Sequence, residues 1–167
     1  MKTLEQQLTQ YARYHRSKRN IRTHFVGIPL IVFAVICLFA RVVFTLGGIE
    51  LNGAYVAVAL SVLYYVRLSL PMGLMMAVVL SVMIIAALPI AALPVLGWLG
   101  FSLSLFFLGW VIQFIGHYFE GKKPAFVDDL AGLIIGPLFV LAEVLFLLGW
   151  FTSLEKHIVQ HAGPIKP

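Results

Sequence analysis

Five histidines stand out in a chain otherwise poor in polar chemistry: His15, His24, His117, His157 and His161. His117 lies three residues before Glu120 and four after Gln113 in the segment QFIGHYFEGKKP. On a helix all three side chains therefore project from one face, and the helix end presents a nitrogen and an oxygen ligand together. Neutral imidazole and carboxylate suit Fe(II), Zn(II) or Mn(II), and two histidines with one carboxylate leave positions open on non-haem iron for oxygen or a substrate. Singly, each histidine is more commonly an interfacial or hydrogen-bonded residue at a helix end than a ligand. His15 and His24 can join His117 in one centre only if the fold brings the three to one level.

The elements that must do so are membrane spans. Of 167 residues, 61% are hydrophobic and only 11% charged, and the mean hydropathy is +0.98. Such a composition leaves far more apolar surface than a soluble fold of this size can bury, whereas lipid accepts apolar side chains on the outside of a bundle. Six of the twelve Lys and Arg fall in residues 1–22, just before the first apolar run. That placement argues for anionic lipid headgroups and topology rather than for nucleic acid.

Leu4, Leu8, Tyr11 and His15, spaced four, three and four apart, predict an amphipathic helix at the interface or packed on the bundle. Five apolar runs follow, at Phe25–Leu46, Ala54–Leu70, Met72 to about Leu88, about Trp98 to Phe119, and Leu130–Phe151. The first is long enough for a span of ~20 residues. The second and third are short enough to form a partly re-entrant hairpin instead. The expected architecture is an all-α integral membrane protein, with an N-terminal amphipathic helix and about five transmembrane helices in one bundle. Its parts are a basic amphipathic segment over residues 1–22, a transmembrane domain over 23–152 and a short polar tail over 153–167.

An Arg-rich N-terminus on the cytoplasmic side also puts Arg67, Lys122 and Lys123 there. His15, His24 and His117 then share the cytoplasmic level. The same model sends the tail, with His157 and His161, to the opposite side of the membrane. No internal repeat points to a transporter, and only Arg41 and Glu143 lie deep enough within runs to suggest an ion path. Glu143 is equally suited to bond a neighbouring helix. Asp128 and Asp129 stand where they would cap the last span, and the lone Cys37 reads as a small buried hydrophobe. Arg13, Arg16, Arg19 and Arg22 can meet lipid phosphate or a substrate carboxylate.

Two segments, YHRSKRNIRTHFVGIPL and GWVIQFIGHYFEGKKPAFVDDLAGLIIGPLFV, resemble the family of small membrane proteins that includes the fungal endoplasmic-reticulum 2-hydroxy fatty acid dioxygenase. The likeness covers these blocks and their apolar surroundings, while the middle spans share only hydrophobicity. It aligns His15, Asn20, His24, Gly27 and Pro29 with the first block, and Gly116, His117, Glu120 and Pro124 with the second. The resemblance implies an Fe(II)-dependent dioxygenase that uses molecular oxygen to shorten a 2-hydroxy long-chain fatty acid by one carbon, a step of fatty acid α-oxidation. On that reading His15, His24 and His117 bind iron, and Glu120 is a fourth ligand or a partner that orients an imidazole. Gln113 or a nearby Arg contacts the substrate headgroup. The site faces the cytoplasm, from a bacterial inner membrane or, in a eukaryote, from the endoplasmic reticulum. The competing reading is a non-enzymatic lipid-binding or assembly protein of the membrane.

Overall fold

The computed structural model describes residues 2–167, and the chain divides into two compact units, residues 1–29 with 110–167 and residues 30–109. Among the described residues the regular elements are seven α-helices, one short hairpin and a single 3-10 turn at Ala125–Val127: α1 (Leu4–Ala12), α2 (Lys18–Ala40), β1 (Val43–Leu46), β2 (Ile49–Asn52), α3 (Gly53–Leu68), α4 (Leu70–Ala91), α5 (Val95–Glu120), α6 (Ala131–Leu147) and α7 (Thr152–Ala162). The protein is thus all-α apart from that hairpin, in keeping with a membrane bundle.

Helices α2, α4 and α5 are long and apolar enough to cross a bilayer, and α6 with α7, bent by 115° at their junction, would count as a fourth span. At 16 residues α3 is shorter than the ~20 a span requires. Val78, Val82 and Ile85 on α4, and Phe107, Val111 and Phe114 on α5, are each more than half exposed. Rows of large apolar side chains turned outwards suit lipid and not water.

The first unit is built around α1. Thr3 caps it reciprocally with Gln6: the Gln6 N–H donates to Thr3 Oγ1 at 3.3 Å and the Thr3 N–H to Gln6 Oε1 at 3.0 Å. This satisfies donors that the first helical turn leaves open. Its expected stripe is present, since Leu4, Leu8, Tyr11 and His15 are all buried, and α1 packs on both α6 and α7. Ile135, Leu138, Phe139 and Ala142 of α6 supply the facing core. Asp129 accepts from the Ala131 N–H at 3.0 Å, so an acid does stand at the start of α6 as expected.

The second unit holds the α3–α4 hairpin, whose helices pack on each other. Close approach depends on Gly73, where a β-carbon would lie 2.5 Å from the Val66 backbone nitrogen. Here the first apolar run proves shorter than expected. Helix α2 stops at Ala40, and residues 43–52 pair antiparallel as β1 and β2, with Leu46 opposite Ile49. Gly47 and Gly48, at φ of 60° and 84°, form the two-residue loop, a conformation that glycine adopts without steric cost. Arg41 consequently sits beyond the end of α2, exposed, donating to the Leu93 carbonyl at 2.8 Å and covering the Trp98 ring. It is not a charge buried within a span.

A second correction concerns the tail. Helix α6 ends at Leu147, and Gly149 and Phe151, both at positive φ (78° and 55°), turn the chain into α7. Far from standing opposite the other histidines, α7 packs on α1. The residues after it bond the Arg16–Lys18 backbone. The cause is an apolar pair one turn apart, Leu154 and Ile158, both buried and each stabilising the docking by about 1.5–3 kcal/mol. His157 and His161 stack on each other at 4.2 Å, clear of the three-histidine group.

Candidate metal centre

His15 lies in the short connection between α1 and α2. The Tyr11 ring stacks on it, with centroids 4.1 Å apart and planes within 8°, and Phe139 of α6 lies 5.7 Å away. His15 Nδ1 is 2.7 Å from the Tyr11 carbonyl oxygen. A carbonyl only accepts, so Nδ1 carries the proton and Nε2 keeps its lone pair.

His24, two turns into α2, repeats this device. Its Nδ1–H donates to the Asn20 carbonyl at 2.9 Å, again leaving Nε2 as the basic nitrogen. Asn20, fully buried, is the hub of the local network. Its carbonyl also accepts from Thr23 Oγ1 at 2.7 Å, while its amide donates to the Tyr14 carbonyl at 3.3 Å and to Glu120 Oε2 at 3.1 Å.

His117 comes from the last turns of α5, and Gly116 beside it lets α5 approach α2. A β-carbon at Gly116 would collide with Thr23 Oγ1 and lie 2.5 Å from Asn20 Oδ1. With that approach the three imidazoles form a triangle, with ring centroids 4.4 Å (His15–His24), 4.9 Å (His15–His117) and 5.1 Å (His24–His117) apart. One nitrogen of each falls within 4.8 Å of the others, and all three side chains are buried.

Several buried polar atoms here lack hydrogen-bond partners: His15 Nε2, His117 Nδ1, Asn20 Oδ1 and Gln113 Nε2. Leaving such groups unmade costs roughly 1–3 kcal/mol each, so a cluster of them needs a reason. Burial, reinforced by the neighbouring His24, holds His15 well below the ordinary imidazole value of 6.5. It is therefore neutral at physiological pH and offers a lone pair. Convergent neutral nitrogens, two with their tautomer fixed by a carbonyl, form a donor set that fits a divalent first-row cation.

The carboxylate of Glu120 does different work in this structure. Oε1 and Oε2 each accept from the Arg16 N–H at 3.0 Å, and Oε2 accepts from the Ser17 N–H at 2.7 Å as well as from Asn20. It thus satisfies backbone donors at the start of α2 and opposes the positive end of that helix. It is not among the described residues whose ligand atoms fall together. Gln113 is buried one turn before His117 on the same helix. Of the four arginines, Arg13, Arg19 and Arg22 are exposed, whereas Arg16 is only 4% exposed. Arg16 donates through Nε to the Ala12 and His15 carbonyls at 2.9 Å, and faces Glu143 at 3.8 Å. Glu143 is thus partnered across to the His15 segment.

Tyr11, Thr23 and Phe139 were not singled out from sequence as parts of this centre, and Arg16 was named only among four arginines able to meet a lipid phosphate or a substrate carboxylate. Only Tyr11 left a signal there, its spacing of four from His15, which on a helical turn puts one ring over the other.

Comparison with known proteins bears on the whole chain. A family model described as 2-hydroxy-palmitic acid dioxygenase Mpo1-like matches residues 1–148. The 2-hydroxy-palmitic acid dioxygenase MPO1 of Saccharomyces cerevisiae is 35% identical over 167 residues, an alignment covering 98% of this chain and 91% of the yeast protein. No solved structure matches significantly. A match of this extent, over both histidine blocks and the helices that bring them together, makes the chain a member of the Mpo1-like family.

Proposed function

We propose that this chain is an Fe(II)-dependent membrane dioxygenase that acts on 2-hydroxy long-chain fatty acids and shortens them by one carbon with molecular oxygen. The observation that carries this reading is the meeting of three buried imidazoles, from three separate segments, with ring nitrogens within 4.8 Å. The chemistry named for the yeast relative, 2-hydroxy-palmitic acid dioxygenation, supplies the substrate class.

In this reading His15, His24 and His117 hold the iron. Bound iron supplies a redox-active centre at which oxygen and the 2-hydroxy carboxylate can be brought together. The chain's own part is to hold, orient and exclude. The Tyr11 and Asn20 carbonyls fix two tautomers and ring orientations, an arrangement that also raises ligand basicity. Tyr11 and Phe139 cover His15 and keep water from that side. Glu120 positions: it fixes the start of α2 and, through Asn20, the carbonyl that orients His24. Gln113 has a buried amide nitrogen without a partner and is assigned to a headgroup oxygen of the substrate. The acyl chain remains in the apolar phase beside the outward-facing side chains of α5. The exposed cations Arg13, Lys18, Arg19, Arg22, Lys122 and Lys123 around this end of the chain support a cytoplasmic face contacting anionic lipid. The host membrane we assign is a bacterial inner membrane or, in a eukaryote, that of the endoplasmic reticulum.

The test is turnover by detergent-purified protein loaded with Fe(II), supplied with 2-hydroxypalmitic acid. Oxygen uptake matched by an acid one carbon shorter is expected. Full turnover by a metal-free preparation, or none by the iron-loaded one, would reject the proposal.

A further inference from the structure

The family match ends at residue 148, and the chemistry proposed above uses no residue beyond it. The last residues nevertheless reach the segment that carries His15. The Lys166 N–H donates to the Arg16 carbonyl at 2.6 Å, and the Lys18 N–H donates back to the Lys166 carbonyl at 2.9 Å, forming a parallel bridge between Ser17 and Lys166. Arg16 Nη1 adds a bond to the Gly163 carbonyl at 3.0 Å. Gly163, at φ 88°, redirects the chain where α7 ends, and α7 is itself anchored by the buried Leu154 and Ile158.

Residues 16–18 are thus gripped from two sides, by Glu120 through the Arg16 and Ser17 amides and by residues 163–166. Burial does not explain the second grip, since Ile165 is 45% exposed and the two bonds of Lys166 run through main-chain atoms. A connection between helices lacks a repeating hydrogen-bond ladder and is ordinarily among the less stable parts of a fold. His15 sits in this connection, and its ring must be placed accurately for three nitrogens to meet.

We propose that residues 163–166 act as a strap that holds the Arg16–Lys18 segment against Glu120 and so fixes where the His15 ring stands relative to His24 and His117. Its consequence for metal binding rests on the metal-centre reading above; the strap itself does not.

Three full-length or shortened chains test it: a stop after Ala162, Lys166→Pro, which removes the N–H that bonds Arg16, and Lys166→Ala, which leaves the main chain intact. Two readouts are taken in detergent, amide hydrogen exchange over residues 15–18 and titration with cobalt(II) followed by its visible absorption. The shortened chain and Lys166→Pro are expected to exchange the Lys18 amide several-fold faster. They should bind cobalt about 10- to 100-fold more weakly, the range typical when the support of a ligand is removed, with a shifted spectrum and unchanged helical content. Lys166→Ala should match wild type in both. If the shortened chain fails to fold, Lys166→Pro decides. Wild-type exchange in Lys166→Pro overturns the proposal, as does faster exchange with unchanged cobalt affinity and spectrum. A wild-type chain that takes up no cobalt rejects the metal reading alone, and the exchange result still judges the strap.

Discussion

Gly116→Ala adds one methyl group at the tightest helix contact of the candidate centre. The new β-carbon would collide with Thr23 Oγ1, and would lie 2.5 Å from Asn20 Oδ1 and 3.2 Å from Thr23 Cβ. Neither neighbour yields readily. Thr23 is stiff at χ1 and its hydroxyl donates to the Asn20 carbonyl, while the Asn20 amide is held by Tyr14 and Glu120. The strain must therefore be relieved by α5 backing away from α2, which carries His117, the next residue, away from His24. Overpacking of this kind costs about 1–3 kcal/mol of stability, and a displacement near 1 Å at a reacting centre costs roughly 100-fold in rate. The assay is metal affinity and turnover alongside thermal melting. Gly100→Ala on the same helix is the control, because nothing lies within 4 Å of its β-carbon; it should be neutral or stabilising by about 0.5–1 kcal/mol. Combining Gly116→Ala with Thr23→Ala should recover part of the loss, a non-additive outcome expected for residues in contact. Wild-type metal affinity and turnover in Gly116→Ala would refute the view that this glycine sets the spacing of the imidazoles.

Three further outcomes follow from the same geometry. Glu120→Gln replaces an acceptor oxygen with an amide donor facing N–H groups, so stability should fall by about 1–3 kcal/mol and turnover should drop while one metal per chain is still bound; loss of the metal would make Glu120 a ligand. Without metal, stability should decline as the pH falls through about 6.5: the buried His15 resists protonation while the unfolded chain takes up the proton, so the unfolded state binds more protons there. Melting of the metal-free protein across that range should show the decline, and His15→Gln should show less of it; equal slopes would contradict the assignment. Arg16→Met leaves the buried Glu143 without its partner and should cost about 3–5 kcal/mol, partly restored by adding Glu143→Leu; denaturant unfolding of the two variants decides, and a double variant no more stable than Arg16→Met would count against the pairing.

Much of the helical layout could be seen in the amino-acid sequence because lipid imposes a simple rule. Apolar runs become helices, and cations mark one side. The stripe Leu4, Leu8, Tyr11, His15 foretold the buried face of α1, and counting spans from the basic N-terminus brought His117 to the level of His15 and His24. What hydropathy could not distinguish was an apolar hairpin from the continuation of a helix: Val43, Phe44 and Leu46 read as the end of a span, and only the Gly47–Gly48 pair argued otherwise. The tail misled for the opposite reason. Its polar residues masked the Leu154–Ile158 pair, and a bend at Gly149 and Phe151 turns α7 back onto α1, which span counting does not foresee. The role of Gly116 and the burial of Arg16 were invisible because both arise from contacts between segments distant in the chain. For Glu120, spacing left a ligand and an orienting partner both open, since a carboxylate one turn from a histidine can also be the acceptor for a neighbouring helix start.

The most direct test is the iron content of anaerobically purified protein, measured beside His15→Ala, His24→Ala and His117→Ala. One iron per chain in the wild type, lost in each of the three variants while their helical content persists, is the predicted result. Full iron retained by any one of them, or none bound by the wild type, would contradict it.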